Sequence, residues 1–340
     1  MINFLVYIAI ILTVFAIGYI VRVYELASSL KGDKPEVTTD KDNRLMSRLM
    51  LTFLVALFAF VIWNLKTFLP LMLPQSASEH GVDTDWLFNF NIGLLFLVFT
   101  ITQVLLFVFA YKYYGRKGNV ATYFPHSNKL EMIWTVIPAI VLAVIIIFGL
   151  KAWNKITAPA SKEAIVIQLY AKQFDWTARY AGKDNKLGRS NYTLITDDNS
   201  LGMDPSDSKG KDDIIVRNEF HIPVNKEIEF KLNAREVIHS ALMPHFRAQM
   251  NCVPGMTTLM HFTPIITTAE MRKKPYVIEL MKGINAIRAK RGDKPEEFNY
   301  ILLCNKICGV SHYNMQMTIV VESEADYKKW LQGNKPYFSK

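Results

Sequence analysis

The chain has 340 residues, 51% hydrophobic and only 20% charged, with a mean hydropathy of +0.13. That composition excludes a disordered or collagen-like chain, and three cysteines in so long a chain exclude a secreted disulfide scaffold. The net charge of +9 divides as +3 for residues 1–153 (12 basic, 9 acidic) and +6 for 154–340 (27 basic, 21 acidic), and neither part has the single-sign density of a nucleic-acid binder.

Four apolar runs come first, at about 2–21, 50–70, 92–110 and 133–150. Each is about 18–21 residues, the length at which a helix crosses about 30 Å of hydrocarbon. The first opens on Phe4, Leu5 and Val6 with no basic stretch, so it reads as a retained helix and not a cleaved signal. The second carries Asn64 and Lys66, and a lysine near a membrane face can snorkel to the headgroups. The loops set orientation. Arg22, Lys31, Lys34, Lys41, Arg44 and Arg48 lie between the first two runs, and Lys112, Arg116, Lys117 and Lys129 between the last two. The intervening 71–89, with Glu79 and Asp85, has no Lys or Arg. The positive-inside rule then predicts cytoplasmic first and third loops, both termini outside, and everything after residue 154 in the periplasm or its equivalent.

From 154 the rhythm changes. "AIVIQLYA", "EIEFKLNA", "FNYILLC" and "MTIVVE" are short, rich in β-branched and aromatic residues, and read as strands. The Asp/Ser/Gly/Lys-rich 182–213 has the composition of a long surface loop, and 268–295 places Val277, Leu280, Met281, Ile284 and Ile287 at helical spacing. The expected fold is membrane-anchored α+β: four transmembrane helices, then a β-domain with a helical insertion.

The chemistry concentrates in "CNKICGVSHYNM", 304–315, which supplies Cys304, Cys308, His312 and Met315 from one loop. His239, in "VIHS", is a candidate nitrogen ligand from elsewhere. These are soft or borderline donors and favour copper over hard cations. A zinc site or a disulfide remains open on spacing alone, although a thioether is a poor zinc ligand. His221, His245 and His261 read as satisfied polar or surface groups, Cys252 as an inert buried thiol, and Trp330 and Tyr337 as packing residues.

The loop resembles the binuclear copper (CuA) loop of subunit II of haem–copper cytochrome c oxidases, whose pattern is Cys-x-Glu-x-Cys-Gly-x-x-His-x-x-Met. "LEMIWTVIPAIVLAVI" at 130–145 is similar to that family's last transmembrane helix, and "QFDW" at 173–176 to its aromatic strand. "HIPVNKEIEFKLNAREVIHS" at 221–240, "VPGM" at 253–256 and "DYKKWL" at 326–331 also fit, so about 130–331 is covered in order. The resemblance implies a cupredoxin-like Greek-key β-barrel and two coppers bridged by the thiolates of Cys304 and Cys308. His239 and His312 would each bind one copper, Met315 would be a weak ligand, and the Lys306 backbone carbonyl would complete the site. Phe174, where the family often has Trp, and Trp176 would receive electrons. Glu131, otherwise a residue suited to a helix start, matches a Glu at the mouth of a proton path into the catalytic subunit.

The implied organisation is an extra N-terminal helix pair (1–73), a transmembrane hairpin (74–153) and a periplasmic domain (154–340). The implied function is electron transfer in a terminal respiratory oxidase of a bacterial plasma membrane, from cytochrome c through copper to haem in a catalytic subunit I, where oxygen is reduced. The basic domain favours a donor that is not strongly basic. There is no Cys-x-x-Cys-His for a covalent haem c. The family's Glu within the loop is Lys306 here, and an ammonium group cannot ligate magnesium. Partners would be the other oxidase subunits and membrane lipid, with no nucleic acid. The competing reading is a membrane scaffold whose β-domain carries zinc or no metal, as in quinol-oxidising relatives. The CuA domain of nitrous oxide reductase is disfavoured by the membrane runs.

Overall fold

The computed structural model describes residues 2–30 and 39–339; Lys31 and Lys34 of the first basic loop lie outside the described residues. Four long helices lead: α1 (Ile2–Leu30), α2 (Asp40–Met72), α3 (Glu79–Lys112) and α4 (Asn128–Thr157). All four are long and apolar enough to cross a membrane. α2 and α3 have 33 and 34 residues, well beyond their apolar runs. Polar residues satisfy helix ends as readily as apolar ones fill spans. At the start of α2 the Asp42 N–H donates to Thr39 Oγ1 at 3.3 Å while the Thr39 N–H donates back to the Asp42 carboxylate at 3.1 Å.

The chain falls into two compact units, residues 1–69 with 95–127, and residues 70–94 with 128–340. Within the first, α2 and α3 meet through Phe53–Phe107 and Phe58–Phe99, with ring centroids 5.3 and 5.9 Å apart.

The second unit holds α4, the start of α3 and the β-domain. Ten strands form two five-stranded sheets, one ordered β3-β2-β1-β5-β8 and the other β4-β10-β9-β6-β7. The first contains β1 (Ile165–Lys172), β2 (Asp175–Tyr180), β3 (Ile214–Arg217), β5 (Ile228–Ala234) and β8 (Thr258–Phe262). The second contains β4 (Glu219–Pro223), β6 (His239–Met243), β7 (Ala248–Cys252), β9 (Tyr300–Cys304) and β10 (Gln316–Glu322). β1 runs parallel to β5 and β4 parallel to β10, so the sheets are mixed. The expected closed barrel is instead a two-sheet sandwich, because among the described residues no ladder joins one sheet to the other. Strand alternation builds its core: every second residue of β5 is buried, and Ile167, Leu169, Trp176, Phe220, Phe230, Leu302 and Ile319 are shut off from solvent.

The helical insertion expected at 268–295 consists of two helices, α5 (Thr268–Arg272) and α6 (Pro275–Arg291). Pro275 is the reason: it starts a helix well, but holds Lys274 extended at ψ 134° and ends the preceding turn. α7 (Glu324–Gly333) closes the domain, capped by Ser323.

Two long-range fastenings escaped the sequence reading. The buried Arg179 guanidinium pairs with buried Asp213 and donates to the Gly188 carbonyl at 2.7 Å and Ser190 Oγ at 2.8 Å, so the 182–213 loop is anchored at both ends. Residues 76–81, before and into α3, form a strap on the sandwich that is buried except at Glu79. The Ala77 N–H donates to the His245 carbonyl at 2.7 Å and the Ile265 N–H to the Ala77 carbonyl at 2.8 Å.

Candidate metal centre

β9 ends on Cys304 and β10 begins on Gln316, so the two strands present everything between them at one edge of the sandwich. Their antiparallel pairing (Gln316 opposite Leu303) fixes the base of the loop. His239 opens β6, the neighbour of β9, and Ala241 lies opposite Cys304 across that ladder. A histidine 65 residues away in sequence is thereby brought beside the thiols.

The donors divide into two groups, one around each sulfur. Cys304 Sγ lies 3.7 Å from His239 Nδ1 and 3.2 Å from the Lys306 carbonyl oxygen. Cys308 Sγ lies 3.5 Å from His312 Nδ1 and 3.8 Å from Met315 Sδ. The two sulfurs are 3.9 Å apart and unbonded, far from the about 2.05 Å of a disulfide. His239, Cys304 and Cys308 are buried, with one donor atom of each within 4.8 Å of the others. The structure therefore gathers all six positions named from the sequence: Cys304, Lys306 (by its carbonyl), Cys308, His239, His312 and Met315.

The donor set tests which metal fits. Structural zinc takes four ligands in a tetrahedron. Six donors arranged as two groups about a pair of thiols exceed that need, and two sulfurs, two imidazoles and a thioether match the preferences of copper. Burial holds His239 below the usual imidazole range, which favours the neutral, ligating ring. Burial first, and Cys304 second, push the Cys308 thiol up to about 11, as expected of a pocket with little water.

Phe174 is half-buried in the two-residue turn between β1 and β2. A Cβ built on Gly309 would stand 2.8 Å from two atoms of its ring, so the ring lies directly on the ligand loop. Gly309 has φ +141°, a conformation that favours glycine. The Gln173 side-chain amide also donates to the Cys308 carbonyl. Neither Gln173 nor Gly309 was singled out from the sequence, although both flank named residues. Strand alternation alone would put Phe174 and Trp176, two residues apart, on one sheet face. Phe174 sits in the turn and not in the strand, so the two rings do not share a sheet face. Trp176 is fully buried, its ring 6.3 Å from that of His239 at 61°.

Other candidates lie apart from the six. Glu131 is exposed in the first turn of α4, and the 30 residues of that helix span about 45 Å. His221 stacks on Trp330 at 4.2 Å and its Nδ1 is 2.8 Å from Glu322; His261 Nδ1 is 2.8 Å from Glu227. His245 is wedged against Phe298 and Tyr300, with no partner for either ring nitrogen among the described residues. Cys252 is buried opposite His239, and burial raises its thiol to about 12.

Comparison with known proteins finds likenesses to one family. The profile of the cytochrome c oxidase subunit II transmembrane domain matches residues 66–152, which takes the likeness upstream of the 130–331 stretch into the end of α2. An alternative cytochrome c oxidase subunit 2 from Bradyrhizobium diazoefficiens is 29% identical over 263 residues, covering 75% of this chain and 83% of its own. The cytochrome c oxidase subunit 2 of Thermostichus vulcanus is 25% identical, covering 78% of this chain and 79% of its own. That of Cereibacter sphaeroides is 22% identical, covering 76% and 78%. A solved periplasmic domain of subunit II of cytochrome oxidase from Bradyrhizobium japonicum aligns at 19% identity, covering 52% of this chain and 96% of its own, with a TM-score of 0.32. With four spanning-length helices ahead of the sandwich and the transmembrane match centred on α3 and α4, the chain is similar to cytochrome c oxidase subunit II over about three quarters of its length.

Proposed function

We propose that this chain is the electron-transfer subunit of a terminal respiratory oxidase, receiving electrons from a cytochrome c and passing them toward haem in a catalytic partner subunit that reduces oxygen. The observation that carries the reading is the grouping of six soft and borderline donors in two sets around Cys304 and Cys308. Cys304, Cys308, His239, His312, Met315 and the Lys306 carbonyl would hold a binuclear copper, which would supply a one-electron carrier. The chain's own residues do the rest. Cys304, Cys308 and Met315 belong to the sandwich core, so the donors are held by packing and water is kept from them. Such rigidity limits the reorganisation that accompanies electron transfer.

Phe174, lying on the loop at Gly309, is the proposed point of electron input, with Trp176 packed behind it against His239. Lys306 contributes only its carbonyl; its exposed ammonium group has no lone pair for magnesium, and it carries positive charge to the boundary with the catalytic subunit. Glu131, in the first turn of α4, is the proposed mouth of a proton path. The excess of Lys and Arg in the first and third loops supports a periplasmic β-domain, in the proposed setting of a bacterial plasma membrane.

The test is a metal assay on the full chain purified with its oxidase. Two coppers per chain are expected, and Cys304→Ser or Cys308→Ser should lose both. One zinc with no copper would overturn the reading.

A further inference from the structure

At the end of the α2–α3 pair where the positive loops lie, a cavity of about 360 Å³ is lined by Arg44 and Arg48 of α2 and by Lys112 and Arg116 at the end of α3. Among the described residues no carboxylate lines it and none of the four cations is ion-paired. The acids at the start of α2 are otherwise engaged: Asp40 accepts from the Lys117 N–H at 2.8 Å, and Asp42 from the Thr39 N–H at 3.1 Å. Both walls are fixed. The buried Ser47 hydroxyl donates to the Arg44 carbonyl at 2.9 Å, Asn43 donates to the Gly115 carbonyl at 3.2 Å, and the Arg116 guanidinium lies 4.4 Å from the Tyr114 ring.

Four like charges around one cavity repel one another unless an anion enters. We propose that this cavity binds the phosphate headgroup of an anionic phospholipid. Its position selects lipid over a free anion. The apolar run of α2 begins just after Arg48 and that of α3 ends just before Lys112, so the cations stand at headgroup depth. Leu45 and Leu49 of α2 and Phe109 of α3, all about half exposed, offer apolar surface beside the cavity for acyl chains. Basic pockets between transmembrane helices on the cytoplasmic side suit this class of ligand. Four cations match the two phosphates of cardiolipin better than the single one of phosphatidylglycerol. Phosphatidylcholine, with no net charge, lacks the complement. Arg44 and Arg48 lie in the part of the chain that the subunit II transmembrane profile does not reach, and the site is independent of the metal reading.

The experiment uses the full chain, with whatever subunits copurify, in phosphatidylcholine nanodiscs doped with cardiolipin; native mass spectrometry then counts cardiolipin retained per chain after detergent washing. The double variant R44Q/R48Q should weaken retention about thirtyfold, and K112Q/R116Q on the other wall similarly. The charge-keeping R44K/R48K should retain most of it, which separates loss of charge from loss of fold. Excess inorganic phosphate should not displace the lipid. Equal retention in both Gln variants, displacement by phosphate, or equal retention of phosphatidylcholine would overturn the proposal.

Discussion

Arg247 clamps the 76–81 strap to the sandwich, and neutralising its partner should open the strap without unfolding the domain. Its guanidinium makes a two-point pair with Asp85 of α3, at 2.7 and 2.8 Å, and donates to the Pro74 and Pro244 carbonyls at 2.5 Å each. The Arg247 side chain is 9% exposed and that of Asp85 26%. Asp85→Asn keeps the shape but leaves a nearly buried charge without its counter-ion. Breaking a fully buried pair costs about 3–5 kcal/mol. Water reaches the Asp85 side, so about 2–3 kcal/mol is the appropriate scale here. The strap keeps its other ties, including Ser78 Oγ to the Phe246 carbonyl at 2.6 Å and the Glu79 N–H to the Thr263 carbonyl at 3.0 Å. With each such bond contributing about 1 kcal/mol net, the loss should appear as local opening. Amide exchange at Ala77, Glu79 and Ile265 should speed up about 30- to 150-fold, while amides in β1 and β5 stay protected. Adding Arg247→Met removes the stranded charge and should recover part of the protection, so the two changes are not additive. Unchanged exchange in Asp85→Asn would show that backbone ties alone hold the strap and that the ion pair is incidental.

Two further outcomes follow from particular side chains. Burial first, and the Arg247 charge second, hold His245 down at about 4, against an ordinary value near 6.5. The unfolded chain therefore takes up a proton that the folded one refuses: stability is full above about pH 6.5 and falls by up to about 3 kcal/mol as pH drops toward 4. Denaturant melts at several pH values should show this fall, and His245→Phe should flatten it; an equal slope in the variant would assign the proton to another group. At the candidate metal centre, Phe174→Ala should slow reduction by the cytochrome donor while copper content stays constant, read by stopped-flow absorbance. Unchanged kinetics would move the point of electron input elsewhere.

The four helices and the change to strands after the last of them were legible because each rests on local periodicity; α4 runs on to Thr157 and the first strand starts at Ile165, past the boundary expected at 154. Apolar runs report the hydrocarbon-crossing part of a helix, and for that reason they understate its ends: α3 starts at Glu79, thirteen residues before the run at 92. The helical insertion was legible in the spacing of Val277 through Ile287, and Pro275, which ends one helix and starts another, divides it into α5 and α6. The open sandwich was beyond reach, because closure depends on pairing between strands far apart in sequence, and alternation reads the same in either case.

The candidate metal centre divides along the same line. Five of its six donor positions sit within twelve residues of one loop, so their chemistry is visible as spacing, and the sixth, His239, was found by residue type and by resemblance. What supports those donors is not local. Gln173 reaches the Cys308 carbonyl across 135 residues, Phe174 packs on Gly309 from a turn between β1 and β2, and Ala77 joins the core that contains Cys304 from before α3. A glutamine, a phenylalanine and an alanine carry no metal chemistry of their own, and each matters only through what the fold sets against it. Donor identity was therefore readable in this chain ahead of donor rigidity, and electron transfer depends on both.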